Sequence, residues 1–319
     1  MRARMIKKCL KFLLCIAVYA IVFILASGVM PFSQGLIGTG EQMLENHPAN
    51  ILFMLAPFAW NCFAVYFIIR HTHYSGIKLF TRILYVMFFV VFFITNTGAM
   101  YSLNAFDGDM TALDMILTMI TGLLSLLATI PILMKFFQNK GVAGVIVSSK
   151  KIDIKTTLAK LGLCGIVYLA AYFLFAYFFQ WRFEEFRMFY AYTPWGQAAW
   201  GGNHSEMIPW LSITIIRGIL NGFFILPMLS MIDKNKITFI TGICLIYIAP
   251  AVNHLTPTPM FPDTVRIVHL VAMTGSMLLF GIIMGNILWG KDMSHPAQRN
   301  DGLLTQEEFS HKNEKLDGM

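Results

Sequence analysis

Charged residues are scarce in this 319-residue sequence. Asp, Glu, Lys and Arg together make up 13% of it, whereas an ordinary soluble domain carries about 25%. Hydrophobic residues make up 57% and are grouped in long blocks rather than spread in amphipathic periods. This composition excludes a typical water-soluble globular domain.

Cysteines and recognisable catalytic motifs are also scarce. The five cysteines lie in or beside apolar blocks or next to basic residues, and their spacing matches no zinc site. We expect no disulfide, and we interpret them as small packing residues. The sequence contains no GxSxG elbow, HExxH pair, P-loop or GxGxxG fingerprint. We therefore expect no metal and no cofactor, and no motif assigns an enzymatic reaction.

Eight apolar runs are long enough to cross a bilayer, for which about 20 residues are needed. They cover residues 10–30, 50–69, 78–99, 111–134, 158–179, 207–231, 237–255 and 265–289. The first run is too long for a signal peptide and is interpreted as a retained span. The sequence thus predicts an all-α, polytopic transmembrane helical bundle of about eight spans.

The basic residues fix the orientation of this predicted bundle. Twenty of the 24 lysines and arginines fall in segments on one side; the exceptions are Arg182, Arg187, Arg217 and Arg266. Such a bias marks the cytoplasmic side, so both termini are predicted to be cytoplasmic. The net charge of +7 therefore indicates the lipid bilayer, not nucleic acid, as partner. With no organelle signal, we expect a multi-pass protein of a bacterial-type plasma membrane.

A faint internal repeat suggests two four-span halves. Lys11, Cys15 and Tyr19 open the first run with the same spacing as Lys160, Cys164 and Tyr168 in the fifth. We predict a first half at 1–134, a cytoplasmic connector at 135–157, a second half at 158–290 and a flexible tail at 291–319. Within the second half, the aromatic and charged segment 180–206 is predicted to be interfacial, as an aromatic belt or as a lid.

Arg217 is the most informative single residue, because it lies inside the run 207–231. An arginine near the middle of a spanning helix costs roughly 2.5–3.5 kcal/mol on insertion scales. That cost is usually tolerated when the side chain faces a polar interior, a partner or a ligand. The guanidinium fork matches carboxylate and phosphate geometry. We predict an outward-facing pocket around Arg217 for a small anionic, amphipathic or lipid-like ligand; a structural ion pair or carbonyl clamp is the alternative.

Other polar and ionisable side chains concentrate in the outer half of the predicted bundle. The candidate ligand-binding set is Arg217, Asn221, Asp114, Glu184, Glu185, His254 and His269. Arg217 is expected to extend outward, toward the carboxylates, because helix side chains tilt toward the helix N-terminus. The two histidines fall at similar depth on consecutive spans. They are predicted to be hydrogen-bonded interface residues, with a proton relay or a metal or haem site as alternatives.

Three functional hypotheses follow from these residues. The favoured one is a transporter-like or solute-binding membrane protein, which is not an enzyme. The second is a membrane-embedded enzyme acting on a lipid or lipid-linked substrate, with Glu184, Glu185 or the two histidines as acid–base groups. The third is an accessory subunit of a membrane complex.

Overall fold

The protein is a helical bundle in a computed structural model that describes residues 2–32, 49–100, 111–138, 153–190, 204–232, 235–257 and 261–289. These ranges contain no strand. Eight of their helices are long and apolar enough to cross a membrane, which confirms the predicted fold class and indicates a multi-pass membrane protein.

The helices match the eight predicted runs and extend most of them by a few residues. They are α1 Arg2–Val29, α2 Ala49–His71, α3 Gly76–Met100, α4 Ala112–Phe137, α5 Ile154–Phe178, the short α6 Glu184–Tyr190, α7 His204–Met231, α8 Lys236–Val252 and α9 Asp263–Trp289. Two 3₁₀ turns, Gln180–Arg182 and Asn253–Leu255, follow α5 and α8.

Helix α3 is interrupted by a π-helical segment, Phe88–Phe93, which the sequence pattern did not predict. The side chains of Asn96 and Thr97 donate to the carbonyls of Phe92 and Phe93, both at 2.7 Å. The accepting carbonyl groups belong to the π-helical segment, whose backbone hydrogen bonds do not follow the α-helical pattern. One extra residue in a helix rotates the following residues by about 100°. The π segment therefore sets which face of the end of α3 is turned to the bundle interior.

Glycines bring two helix pairs into close contact. On α5 and α7, a Cβ added at Gly218 would lie 2.5 Å from Tyr168 Cβ and 2.8 Å from Gly165 Cα. On α8 and α9, a Cβ at Gly285 would lie 2.8 Å from Ile240 Cγ1. Small residues permit such backbone approach in membranes, where packing rather than water exclusion holds helices together. The α5–α7 contact places Arg217 next to Tyr168.

Several predicted segments fall partly or wholly outside the described residues. These are residues 139–152 of the connector, residues 191–203 of the interfacial segment and the tail 291–319. The division into two four-span halves stays a prediction. All five cysteines are free; Cys9 is exposed and the other four are buried.

Candidate functional site

A cavity of about 220 Å³ opens among α3, α5, α7, α8 and α9. Its lining residues extend from the middle of these helices to the ends that the charge bias assigns to the outer side. Four of the seven predicted site residues line it: Arg217, Asn221, His254 and His269. An apolar cavity of about 150 Å³ is large enough to hold benzene. The space is therefore adequate for a small organic molecule.

The Arg217 guanidinium occupies a place that a glycine leaves open. It lies against Gly98 of α3, where any Cβ would overlap it, and its Cζ is 5.9 Å from the centroid of the Tyr168 ring. Within the described residues, its buried Nε has no hydrogen-bond partner and no carboxylate forms an ion pair with the guanidinium. A guanidinium that lines a cavity without a carboxylate beside it is suited to an anionic ligand.

Asn221 and Tyr247 hold α7 in place beside the cavity. Asn221 is 3% exposed, and its side-chain Nδ2 donates to the Arg217 carbonyl at 3.0 Å. The Tyr247 hydroxyl, from α8, donates to the Asn221 carbonyl at 2.9 Å. The Asn221 amide is thus engaged with the backbone of its own helix, and this position fixes the helix turn that carries Arg217.

His254 and His269 meet at the outer end of the cavity. Their rings stack with centroids 4.9 Å apart and an interplanar angle of 16°. The Tyr190 hydroxyl lies 2.6 Å from His269 Nε2, and Gln180 Nε2 lies 3.3 Å from His269 Nδ1. Both ring nitrogens of His269 therefore have polar partners, and the two histidines of consecutive spans are in direct contact.

The short helix α6 and the preceding 3₁₀ turn supply two of these groups. Phe186 of α6 is buried against Val265 and Val268 of α9, which anchors the segment. Arg187 Nη1 donates to the Trp181 carbonyl at 2.7 Å and closes the turn. Gln180 and Tyr190, at the two ends of this segment, both line the cavity. Burial raises the pKa of Tyr190 above its ordinary value, so its hydroxyl stays protonated.

Three predicted site residues do not line the cavity. Asp114 is 1% exposed and forms a capping box with Thr111: its carboxylate accepts from the Thr111 N–H at 2.7 Å and from the Thr111 hydroxyl at 2.6 Å. Glu184 and Glu185 are exposed in the first turn of α6. The structure does not bring these three carboxylates together with Arg217. At a helix start, each is instead favourably placed toward the helix dipole.

Several cavity residues were not in the predicted set. They are chiefly Gly98, Tyr168, Tyr172, Gln180, Tyr190 and Tyr247. Tyr168 and Tyr172 are one turn apart, and that spacing placed both on one helix face. No signal in the sequence pointed to Gly98, because its role depends on a side chain from another helix.

No group of three or more His, Cys, Asp or Glu side chains with metal-binding geometry occurs in the described ranges. The cavity instead combines one guanidinium, two imidazoles, phenols and amides within apolar walls. Comparison of the chain with protein-family models, with curated proteins and with solved structures found no match.

Proposed function

We propose that this multi-pass membrane protein is a transporter-like or solute-binding protein whose cavity binds a small amphipathic carboxylate. The observation that carries the proposal is the Arg217 guanidinium, which lines the cavity with no carboxylate of the described residues beside it. A charge in this environment is costly unless an anion accompanies it. The ligand supplies that anion.

The cavity walls define the rest of the ligand. Tyr168, Tyr172 and Phe175 contribute aromatic surface next to Arg217, and Met273 and Met277 contribute adaptable apolar surface. A small inorganic anion would leave this surface unused. A carboxylate with a compact apolar body, of which benzoate is a simple representative, fits both the charge and the volume.

The outer position of the cavity supports solute capture from outside a plasma membrane. The basic flanks assign the Gln180 and His254 ends of the helices to the outer side. This orientation supports entry of the ligand from the side opposite the lysines and arginines predicted to be cytoplasmic. Transport across the membrane then requires the helices around Arg217 to open the inner side.

Native mass spectrometry of the gently purified protein tests this proposal without prior choice of ligand. Wild type should retain a small carboxylate that Arg217→Gln does not. Calorimetry with benzoate should show at least tenfold weaker binding to Arg217→Gln, since a bond to a charged group contributes roughly 1.5–3 kcal/mol. Benzamide, which has no charge, should bind wild type and variant equally weakly.

Arg182→Gln is the matched control, because Arg182 is exposed and outside the cavity. It should bind benzoate like wild type. If neither a retained carboxylate nor any Arg217-dependent binding is found across benzoate, hexanoate and acetate, the proposal is wrong. Co-purification of a stoichiometric protein partner would then favour the accessory-subunit hypothesis.

The 2.6 Å contact between Tyr190 and His269 favours one second candidate, a membrane-embedded enzyme acting on a lipid-like substrate. Glu184 and Glu185 are exposed and outside the cavity, so the histidines would be the acid–base groups. This candidate predicts turnover of extracted membrane lipids, followed by mass spectrometry, that stops in His269→Gln.

A further inference from the structure

We infer that the cavity binds a proton together with its anion and that His269, held between Tyr190 and Gln180, is the proton-binding residue. This inference rests on the proposed function, because it concerns how the same cavity accepts an anion. It identifies a proton as the second ligand of the site, and therefore as the ion that accompanies the solute.

The hydrogen-bond inventory of His269 allows either charge state. A neutral imidazole has one donor and one acceptor nitrogen, whereas an imidazolium donates from both. As an imidazolium, His269 donates through Nε2 to the Tyr190 oxygen, 2.6 Å away. Through Nδ1 it donates to Gln180, whose amide presents its oxygen after rotation by 180°. No rearrangement of the backbone is needed.

Tyr190 then connects the proton to the anion. Once its oxygen accepts from His269, its own hydrogen is available to a group in the cavity that it lines. Tyr172, in the same lining, is within electrostatic reach of both Arg217 and Tyr190. A carboxylate beside Arg217 would thus share one cavity with the Tyr190 hydroxyl, which contacts the imidazole of His269.

The surrounding charges make protonation depend on the anion. On α9, Arg266 is within electrostatic reach of His254, and it donates from Nη1 to the carbonyls of His254 and Leu255 at 3.2 Å while pairing with Asp263. Arg217 on α7 adds a second positive charge to the cavity. These cations oppose an imidazolium until a carboxylate supplies negative charge.

The remaining neighbours are neutral or compete for the same proton. Within the described residues, α6 contributes Tyr190, the 3₁₀ turn contributes Gln180, and Phe186 and Phe261 contribute only rings. His254 stacks on His269, and two imidazoliums with centroids 4.9 Å apart would repel each other. The pair therefore takes up one proton, not two. The proton comes from the outer solution, and the bound pair of anion and proton is neutral.

Thermodynamic linkage makes the coupling reciprocal: if the anion favours protonation, the proton must favour anion binding by the same factor. Benzoate affinity should therefore rise as pH falls, by up to about tenfold per pH unit where one proton is taken up. Benzamide should show no such dependence, since it brings no charge.

Calorimetric titration of the full-length protein with benzoate, in buffers with different enthalpies of ionisation, measures the proton directly. For wild type near neutral pH the observed enthalpy should change with the buffer and give an uptake approaching one proton per benzoate. His269→Gln should bind benzoate with a smaller or absent proton uptake. Tyr190→Phe, which preserves the ring and loses the linking hydroxyl, should also reduce it.

His71→Gln is the matched control, because His71 is an exposed histidine in the last turn of α2 and outside the cavity. It should keep the full proton uptake. Arg217-dependent benzoate binding without any buffer dependence would overturn the inference and leave the proposed function intact. Full uptake in both His269→Gln and Tyr190→Phe would also overturn it. Absence of Arg217-dependent binding would instead remove the proposed function itself.

Discussion

Two polar regions within this bundle differ in what surrounds them. The cavity at Arg217 has open space, a charge and hydrogen bonds between residues of different helices. Between α1, α2 and α4, by contrast, Tyr19, Asn61 and Thr129 line a pocket that leaves no space for a water molecule. In the described residues these buried oxygens make no hydrogen bond of regular geometry, although Tyr19 and Asn61 are close enough to interact. The second region is neutral and closed.

The difference shows that a polar residue in an apolar span is weak evidence for a ligand site. Asn61 and Asn221 are both nearly fully buried in spanning helices. Only Asn221 sits beside a charge and a cavity, with its helix fixed by a hydrogen bond from α8. Space and charge, rather than polarity alone, distinguish a candidate binding site from a polar packing contact.

The largest expected effect comes from filling the space that holds the guanidinium. Gly98→Ala places a Cβ on the Arg217 guanidinium and should displace it, because Gly98 lies directly against that group. Benzoate binding, measured by calorimetry, should weaken at least tenfold, and overpacking should cost about 1–3 kcal/mol of stability. Gly162→Ala is the control, since nothing lies within 4 Å of its added Cβ. Equal benzoate affinity in both variants would contradict the assigned position of Arg217.

The next largest expected effect concerns two buried tyrosines, Tyr247 beside the cavity and Tyr19 in the second polar region. Tyr247→Phe removes the hydroxyl that donates to the Asn221 carbonyl, with Met284 Sδ as its alternative acceptor, so unfolding in mixed micelles should require about 1 kcal/mol less. Tyr19→Phe removes a hydroxyl that has Asn61 as a neighbour but makes no hydrogen bond of regular geometry in the described residues, so the loss of stability should be smaller. If Tyr19→Phe destabilises the protein as much as Tyr247→Phe, the closed region is a hydrogen-bonded site, and the contrast fails.

The smallest expected effect concerns a helix cap far from both regions. The Thr156 hydroxyl and the Lys155 N–H donate to Asp153, and the Thr156 bond in particular lowers the pKa of Asp153 below its ordinary value of 3.8. A carboxyl with a lowered pKa in the folded state stabilises that state above its ordinary pKa, and the contribution is lost as pH falls through the lowered value. The melting temperature of wild type should therefore exceed that of Asp153→Asn at neutral pH. The gap should narrow below about pH 4; a gap that widens there would contradict this assignment.

The sequence located part of the site because intramembrane charge is rare. Arg217 stood out as an arginine in an apolar run, and the histidines stood out by depth. Asp114, Glu184 and Glu185 were grouped with them on the same argument. That argument estimates how far along a helix a residue lies. It does not predict which face of the helix the side chain occupies or whether the side chain caps the helix N-terminus, and so it could not separate a cavity residue from a helix cap.

The sequence alone determined the class of this protein: block-wise apolar runs of spanning length impose helices, because backbone groups in hydrocarbon must bond within their own segment. The asymmetric basic residues likewise predict the orientation. Only the tertiary structure decided the site. Gly98 accommodates Arg217, the π segment of α3 turns that face inward, and α6 brings Tyr190 to His269. The contacts of Gly98 with Arg217 and of Tyr190 with His269 join different helices, and helix packing depends on side-chain fit that hydropathy does not encode.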